Sequence, residues 1–152
     1  MQLADVMATD VLTVPPEATL ADAARRMIAR DAGAAVVMEG GELVGVISER
    51  DLMRAIPDAC DPDTPVADRM TRHVMTGSPS TGIGEAMAIM IEGRFRHLPV
   101  VEDGRVLGVV SMRDLMSWTA LRLRQGSLGE KDDEVDSAEL LATIHRMRTG
   151  AA

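Results

Sequence analysis

An eleven-residue stretch, Leu43-Val-Gly-Val-Ile-Ser-Glu-Arg-Asp-Leu-Met53, returns 63 residues later as Val106-Leu-Gly-Val-Val-Ser-Met-Arg-Asp-Leu-Met116. The same offset, with no gap, places Ala4-Asp5 on Ala67-Asp68, Met7 on Met70, Val11 on Val74, Thr13 on Thr76 and Pro16 on Pro79. It also places Ala23 on Ala86, Met27-Ile28 on Met90-Ile91, Val37 on Val100 and Gly41 on Gly104. From Leu3 to Met53, roughly two positions in five are identical in the copy. An internal repeat of this kind decides the architecture before any local pattern does. Each half has only about 55 residues, marginal for an independent core, so the two are expected to share burial.

Local patterns predict the same order of elements in both halves. Val11 to Val14 reads as a strand closed by Pro15-Pro16, and Thr19-Leu-Ala-Asp22 has the capping-box pattern of a helix start. Leu20, Ala23, Ala24, Met27 and Ile28 follow at helical spacing, with Gly33 as the stop. Ala34 to Met38 and Leu43 to Ile47 read as strands around a hairpin turn at Glu39-Gly-Gly-Glu42. A second helix starts at Ser48 and ends at Pro57, which gives β-α-β-β-α. In the copy the strand is Val74 to Thr76, and Ile83, Ala86, Met87, Met90 and Ile91 form the helix stripe. His97 to Val101 and Val106 to Val110 form the hairpin around Glu102 to Arg105, and the last helix runs from Ser111 to about Arg124. The segment from Gly77 to Gly84 is richer in glycine than its counterpart, so its helix start is expected to be less well capped. The resulting division is repeat 1 at 3–56, a Pro/Asp-rich linker at 57–65, and repeat 2 at 66–125. Residues 126–152 form an acidic linker and an amphipathic C-terminal helix carrying Leu140, Leu141, Ile144 and Met147 on one face.

Composition excludes several classes. No apolar run reaches the ~18 residues of a membrane span, and no secretion signal is visible. A single cysteine, Cys60, in an acidic linker with no cation near it in sequence, fits a reduced cytoplasm and a spectator role. The net charge of −8 disfavours nucleic-acid binding, which depends on Lys and Arg neutralising phosphates. His73, His97 and His145 are too scattered for a metal set, and no metal site is expected. Most of the twelve methionines lie on helix stripes, where they fill core. No nucleophile elbow, phosphate loop or nucleophile–base pair appears, so no catalytic residue is expected and the chain reads as a non-enzyme.

The chemistry that remains lies in Ser48-Glu-Arg-Asp51 and Ser111-Met-Arg-Asp114. Each is a capping box. The same geometry leaves free N–H groups and a positive dipole end for a phosphate, and puts a carboxylate where it can accept from a ribose diol. Arg94, Arg96 and His97 are the densest cationic cluster and read either as phosphate contacts or as an ordinary solvated turn.

These motifs, Gly45-x-x-Ser48-x-x-Asp51, Gly108-x-x-Ser111-x-x-Asp114, His97-Leu-Pro-Val-Val101 and the openings Asp5-Val-Met7 and Asp68-Arg-Met70, resemble those of cystathionine-β-synthase (CBS) domains. Over about residues 3 to 120 the chain looks like a stand-alone CBS pair, or Bateman module. The resemblance implies an α+β (α/β) fold of two tandem repeats related by a pseudo-twofold axis, with a C-terminal helix in addition. It implies a regulatory module that binds an adenosyl ligand, AMP, ADP or ATP, in one or both of two clefts between the repeats and signals to an unidentified partner protein. Carried over by motif, cleft 1 comprises Thr13, Val14, Ala34, Ala35 and Asp51, with Ser111 facing across. Cleft 2 comprises Thr76, His97, Leu98, Pro99 and Asp114, with Ser48 and Arg50 facing across and Arg94 and Arg96 toward the phosphates. Val36 stands where repeat 2 has Pro99, and Gly77 stands where repeat 1 has Val14, so the two clefts are not expected to be equally competent. A homodimer is expected through Leu52, Met53, Ile56, Leu115, Met116, Trp118 and the helix stripes. The alternatives are a dimeric interaction scaffold with no physiological ligand, or a sensor of S-adenosylmethionine or NAD.

Overall fold

The structure, a computed structural model, describes residues 1–124. The expected acidic linker and C-terminal helix at 126–152 lie outside the described residues. The elements are β1 (Thr13–Val14), α1 (Leu20–Ala29), β2 (Ala34–Glu39), β3 (Glu42–Ser48), α2 (Glu49–Ala55), α3 (Ile83–Glu92), β4 (His97–Glu102), β5 (Arg105–Ser111) and α4 (Met112–Arg124). Two short 3-10 turns, Leu3–Asp5 and Val66–Asp68, open the two repeats. This is the expected α+β fold. In repeat 1 the strands run β1-β2-β3, parallel then antiparallel; in repeat 2 the sheet is the two-stranded β4-β5 hairpin. The hairpin turns fall where the glycines predict them, with positive φ at Gly40, Gly41, Asp103 and Gly104.

The sequence repeats and the packing units differ in one respect, because each repeat's opening is buried in the other. Leu3, fully buried, belongs to the core of repeat 2 with Ile83, Ala86, Met90, Leu98, Val100, Val110 and Leu115. Reciprocally, Val66 and Met70 belong to the core of repeat 1 with Leu20, Ala23, Met27, Val37 and Ile47. The backbone repeats the exchange. Leu3 N–H donates to Thr81 O at 2.9 Å, as Val66 N–H donates to Ala18 O at 2.7 Å. Ala8 pairs with Val109 of β5, as Thr71 pairs with Val46 of β3. Each of these exchanged contacts has its counterpart 63 positions on, which is how a pseudo-twofold relation appears in a single chain.

The exchange also explains the shared glycines. A Cβ at Gly45 would lie 2.5 Å from Met70 Sδ and 3.0 Å from Thr71 O; at Gly108 it would lie 2.7 Å from Met7 Sδ and 2.9 Å from Ala8 O. Both glycines exist because a segment of the other repeat crosses directly above them.

Four local expectations are corrected. The first strand covers Thr13–Val14 and not Val11–Leu12. In repeat 2 the strand expected at Val74–Thr76 is reduced to one parallel bridge, Gly77 to Val100. In repeat 1 the Val36 N–H donates to Leu12 O at 2.9 Å, whereas Pro99, at the equivalent position, has no N–H to offer. Helix α1 stops at Ala29 and not at Gly33: Asp31 takes the left-handed turn at φ 49°, a conformation that Asp tolerates better than most residues. Leu115, expected on an apolar surface, is fully buried in the core, while Met116 and Trp118 pack partly buried against it. The large apolar side chains that stay exposed lie mostly on repeat 1: Ile28 at 81%, Ile56 at 77% and Met53 at 67%.

The capping expectation holds in its contrast. Thr19 Oγ1 accepts from Asp22 N–H at 3.0 Å at the start of α1, while α3 begins at Gly82 with no side-chain cap.

Candidate functional site

The two Ser-Asp pairs stand at the starts of α2 and α4, where β3 and β5 deliver the chain into a helix. Asp51 Oδ2 accepts from Ser48 N–H at 2.9 Å and from Ser48 Oγ–H at 2.6 Å. Asp114 Oδ2 accepts from Ser111 N–H at 3.3 Å and from Ser111 Oγ–H at 2.5 Å. Each Asp is therefore locked through one oxygen as the far half of a cap. Its other oxygen, Oδ1, has no hydrogen-bond partner among the described residues. Such an oxygen can accept from a ligand diol without disturbing the helix start. Asp51 is half-buried and Asp114 exposed.

The sheet register assembles the remaining residues. In the first cleft Ala34 lies opposite Ser48 across β2 and β3, and Ala35 lies opposite Ile47. Thr13 and Val14 flank the same strand through Val36 and Val37. Thr13 is exposed, Val14 and Ala35 are buried, and Ala34 is half-buried with only a methyl group to present. In the second cleft His97 lies opposite Ser111 across β4 and β5, and Leu98 opposite Val110. Leu98 and Pro99 are buried and Thr76 is exposed. No hydrogen bond of the described residues carries Ser111 across to the first cleft, or Ser48 across to the second.

Besides the exchanged openings, two contacts near these residues cross between the repeats. Arg50 Nη1 donates to Arg94 O at 2.9 Å. Arg94 sits in a left-handed turn at φ 57° just after α3. The second contact is His97 on Gly33: a Cβ at Gly33 would lie 2.8 Å from Nε2 of the imidazole. The same point lies 3.6 Å from Glu49 Oε2. Gly33, read from sequence as a helix stop, thus also leaves room for the imidazole of the other repeat. Glu49 and Arg113 were also missed, although both lie inside the repeated motif. His97 is held below the ordinary imidazole value, first by burial and then by Arg96, with Glu49 and Asp114 pulling the other way and Arg113 a smaller opposing charge.

Two further features bear on chemistry. Cys60 has no cation near it in sequence, but the fold brings the Arg69 guanidinium against its sulfur and the Asp58 carboxylate. No group of three or more His, Cys, Asp or Glu among the described residues could hold a metal, and no described helix is long and apolar enough to cross a membrane.

Comparison with known proteins agrees with the geometry. A family model described as the CBS domain matches twice, over residues 3–58 and 66–120. The chain is 34% identical over 112 residues to the CBS domain-containing protein YhcV of Bacillus subtilis, covering 73% of this chain and 80% of that one. Among solved structures it is similar to the CBS-domain protein ATU1752 of Agrobacterium tumefaciens, with a TM-score of 0.75, 33% identity and coverage of 78% and 99%. It is also similar to CBSX2 in complex with AMP, with a TM-score of 0.68, 25% identity and coverage of 81% and 98%.

Proposed function

Since the chain belongs to the CBS-domain family as a tandem pair, we propose that it is a non-catalytic regulatory module that binds an adenine nucleotide, AMP, ADP or ATP, between its repeats. The observation that carries this reading is the pair of locked carboxylates. Asp51 and Asp114 each hold a helix start with Oδ2 and keep Oδ1 available for a ribose. The AMP complex of CBSX2 supports an adenine nucleotide as the ligand to test first. Arg94, Arg96 and Arg50 supply cationic groups at the seam between the repeats, where a phosphate would be stabilised. Thr13, Val14, Ala34 and Ala35 in one cleft, and Thr76, His97, Leu98 and Pro99 in the other, would flank the base.

Binding at a seam biases the angle between repeats by no more than the ligand's affinity difference between the two arrangements. A partner protein would read that change. The exposed Ile28, Met53 and Ile56 favour a homodimer that covers the helices of repeat 1.

The test is isothermal titration and thermal shift with AMP, ADP, ATP, S-adenosylmethionine and NAD. A ligand at about 100 times its Kd stabilises by about 2.7 kcal/mol, a shift of several degrees. Asp51→Asn and Asp114→Asn keep a polar group of the same size at the cap. Losing a hydrogen bond to a charged group costs about 1.5–3 kcal/mol, or roughly tenfold to a hundredfold in affinity at the cleft that binds. If neither substitution weakens binding, the ribose assignment is wrong. If none of the five ligands shifts the melting curve, the chain is a scaffold.

A further inference from the structure

Charge and shape at the seam between the repeats are one-sided. The His97 ring edge rests on the Gly33 backbone, and a methyl group added there would lie 2.8 Å from Nε2 and 3.0 Å from Cε1. Glu49 of α2 reaches the same point. Arg96 just before β4, and Arg113 and Asp114 of α4, are the other charged groups that act on the ring. At the 63-residue offset, Ala34 stands for His97, Arg96 for Gly33 and Met112 for Glu49. The imidazole therefore has no counterpart on the other side of the pseudo-axis.

We infer that His97 makes nucleotide binding at this seam proton-linked, so that a ligand phosphate beside Arg96 draws a proton onto the imidazole and binds more tightly as the pH falls. This rests on the nucleotide reading above. Burial and the charge of Arg96 oppose protonation in the ligand-free chain, and Arg113 opposes it to a smaller degree. A phosphate offsets the Arg96 charge and leaves Glu49 and Asp114 to favour the imidazolium. Linkage is reciprocal: what the phosphate does for the proton, the proton does for the phosphate. His97 is then a specificity residue that favours phosphorylated over unphosphorylated ligands in acid.

The test is titration of the full chain with AMP at about pH 6 and about pH 8, for the wild type and for His97→Gln, which keeps a polar side chain that does not titrate. The phosphate of AMP itself loses charge near pH 6, and does so equally for both proteins. The readout is therefore the ratio of wild-type to variant affinity. It is expected to rise from pH 8 to pH 6, by up to about tenfold for each pKa unit that the phosphate adds to His97. AMP binding with an unchanged ratio overturns the proton linkage and leaves the nucleotide reading standing. Failure of the wild type to bind AMP, or ADP or ATP in its place, at either pH overturns both. Should His97→Gln not fold, the ring-proton NMR titration of the wild type gives the same answer: its midpoint must rise when AMP is added, and an unmoved midpoint overturns the inference.

Discussion

The two repeats share a frame and reverse its chemistry. Around the seam, repeat 1 carries Asp31, Gly33, Ala34 and Glu49 where repeat 2 carries Arg94, Arg96, His97 and Met112. The frame behind these positions barely differs: both Ser-Asp caps, both crossing-point glycines and both exchanged openings are retained. Buried positions are constrained by close packing on every side, so they resist change. Positions at the seam meet the other repeat or solvent and are free to diverge. Two identical carboxylate clasps thus sit among different neighbours. One faces a methyl group and the other faces an imidazole, and the two clefts are expected to differ in what they bind.

The largest effects test whether the frame is as symmetric as it looks. Leu3 and Val66 are equivalent, both fully buried, and each is a plug in the other repeat's core. Leu3→Ala is expected to cost about 2–5 kcal/mol in chemical denaturation, as a buried Leu does. Val66→Ala removes one carbon fewer and is expected to cost less. A loss under about 1 kcal/mol at either site would show that an exchanged opening is not part of the core. Next come the crossing points. Gly45→Ala and Gly108→Ala push a methyl group against a methionine sulfur and, more stiffly, against a backbone carbonyl. Each is expected to destabilise by about 1–3 kcal/mol. A neutral Gly108→Ala would mean that the Ala8 strand is free to move away.

The frame was readable in the sequence because repetition doubles every signal. A single Gly-x-x-Ser-x-x-Asp is ambiguous, but two at one offset, in phase with two helix stripes, leave one architecture. The exchange of openings was not readable. Leu3 and Val66 look like ordinary first residues of their own repeats, and no local pattern says that a segment packs against distant sequence. For the same reason the two motif glycines could be aligned but not explained. The loss of the first strand in repeat 2 was legible in principle, since Pro99 lacks the N–H that Val36 uses. At the seam, Arg50 could be placed by motif. The His97–Gly33 contact could not, because its two halves come from different repeats and only the fold brings them together.

A smaller effect follows from the same contact. His97 sits below the ordinary imidazole value of 6.5 in the folded chain, so the unfolded chain binds the proton more readily. Stability from this group is complete above about pH 6.5 and is lost as the pH falls from there toward the folded-state value. Melting temperature is therefore expected to decline through this window without ligand, and the decline should be shallower in His97→Gln. A slope that the variant leaves unchanged would mean that the ring is not confined between the repeats. Gly33→Ala offers the converse, since the new methyl group must displace the ring or the strand.

The smallest effect concerns the two first helices, where the halves differ by a single cap. Thr19 closes the start of α1 through Asp22 N–H, while Gly82 leaves the start of α3 without a side-chain acceptor. The backbone of both residues is alike, at φ −77° and ψ 156° for Thr19 and φ −67° and ψ 151° for Gly82, so a side chain fits either conformation. Glycine is itself a fair N-cap, only a few tenths of a kcal/mol worse than threonine, whereas alanine costs about 1 kcal/mol. Thr19→Ala is accordingly expected to lose about 1 kcal/mol, and Gly82→Thr to gain a few tenths, both read from denaturation midpoints at constant m-value. The two substitutions together make the first helices alike. If Gly82→Thr stabilises the chain without weakening nucleotide binding, the missing cap is drift. If it stabilises and weakens binding, the loose start of α3 belongs to the machinery by which repeat 2 adapts to its ligand.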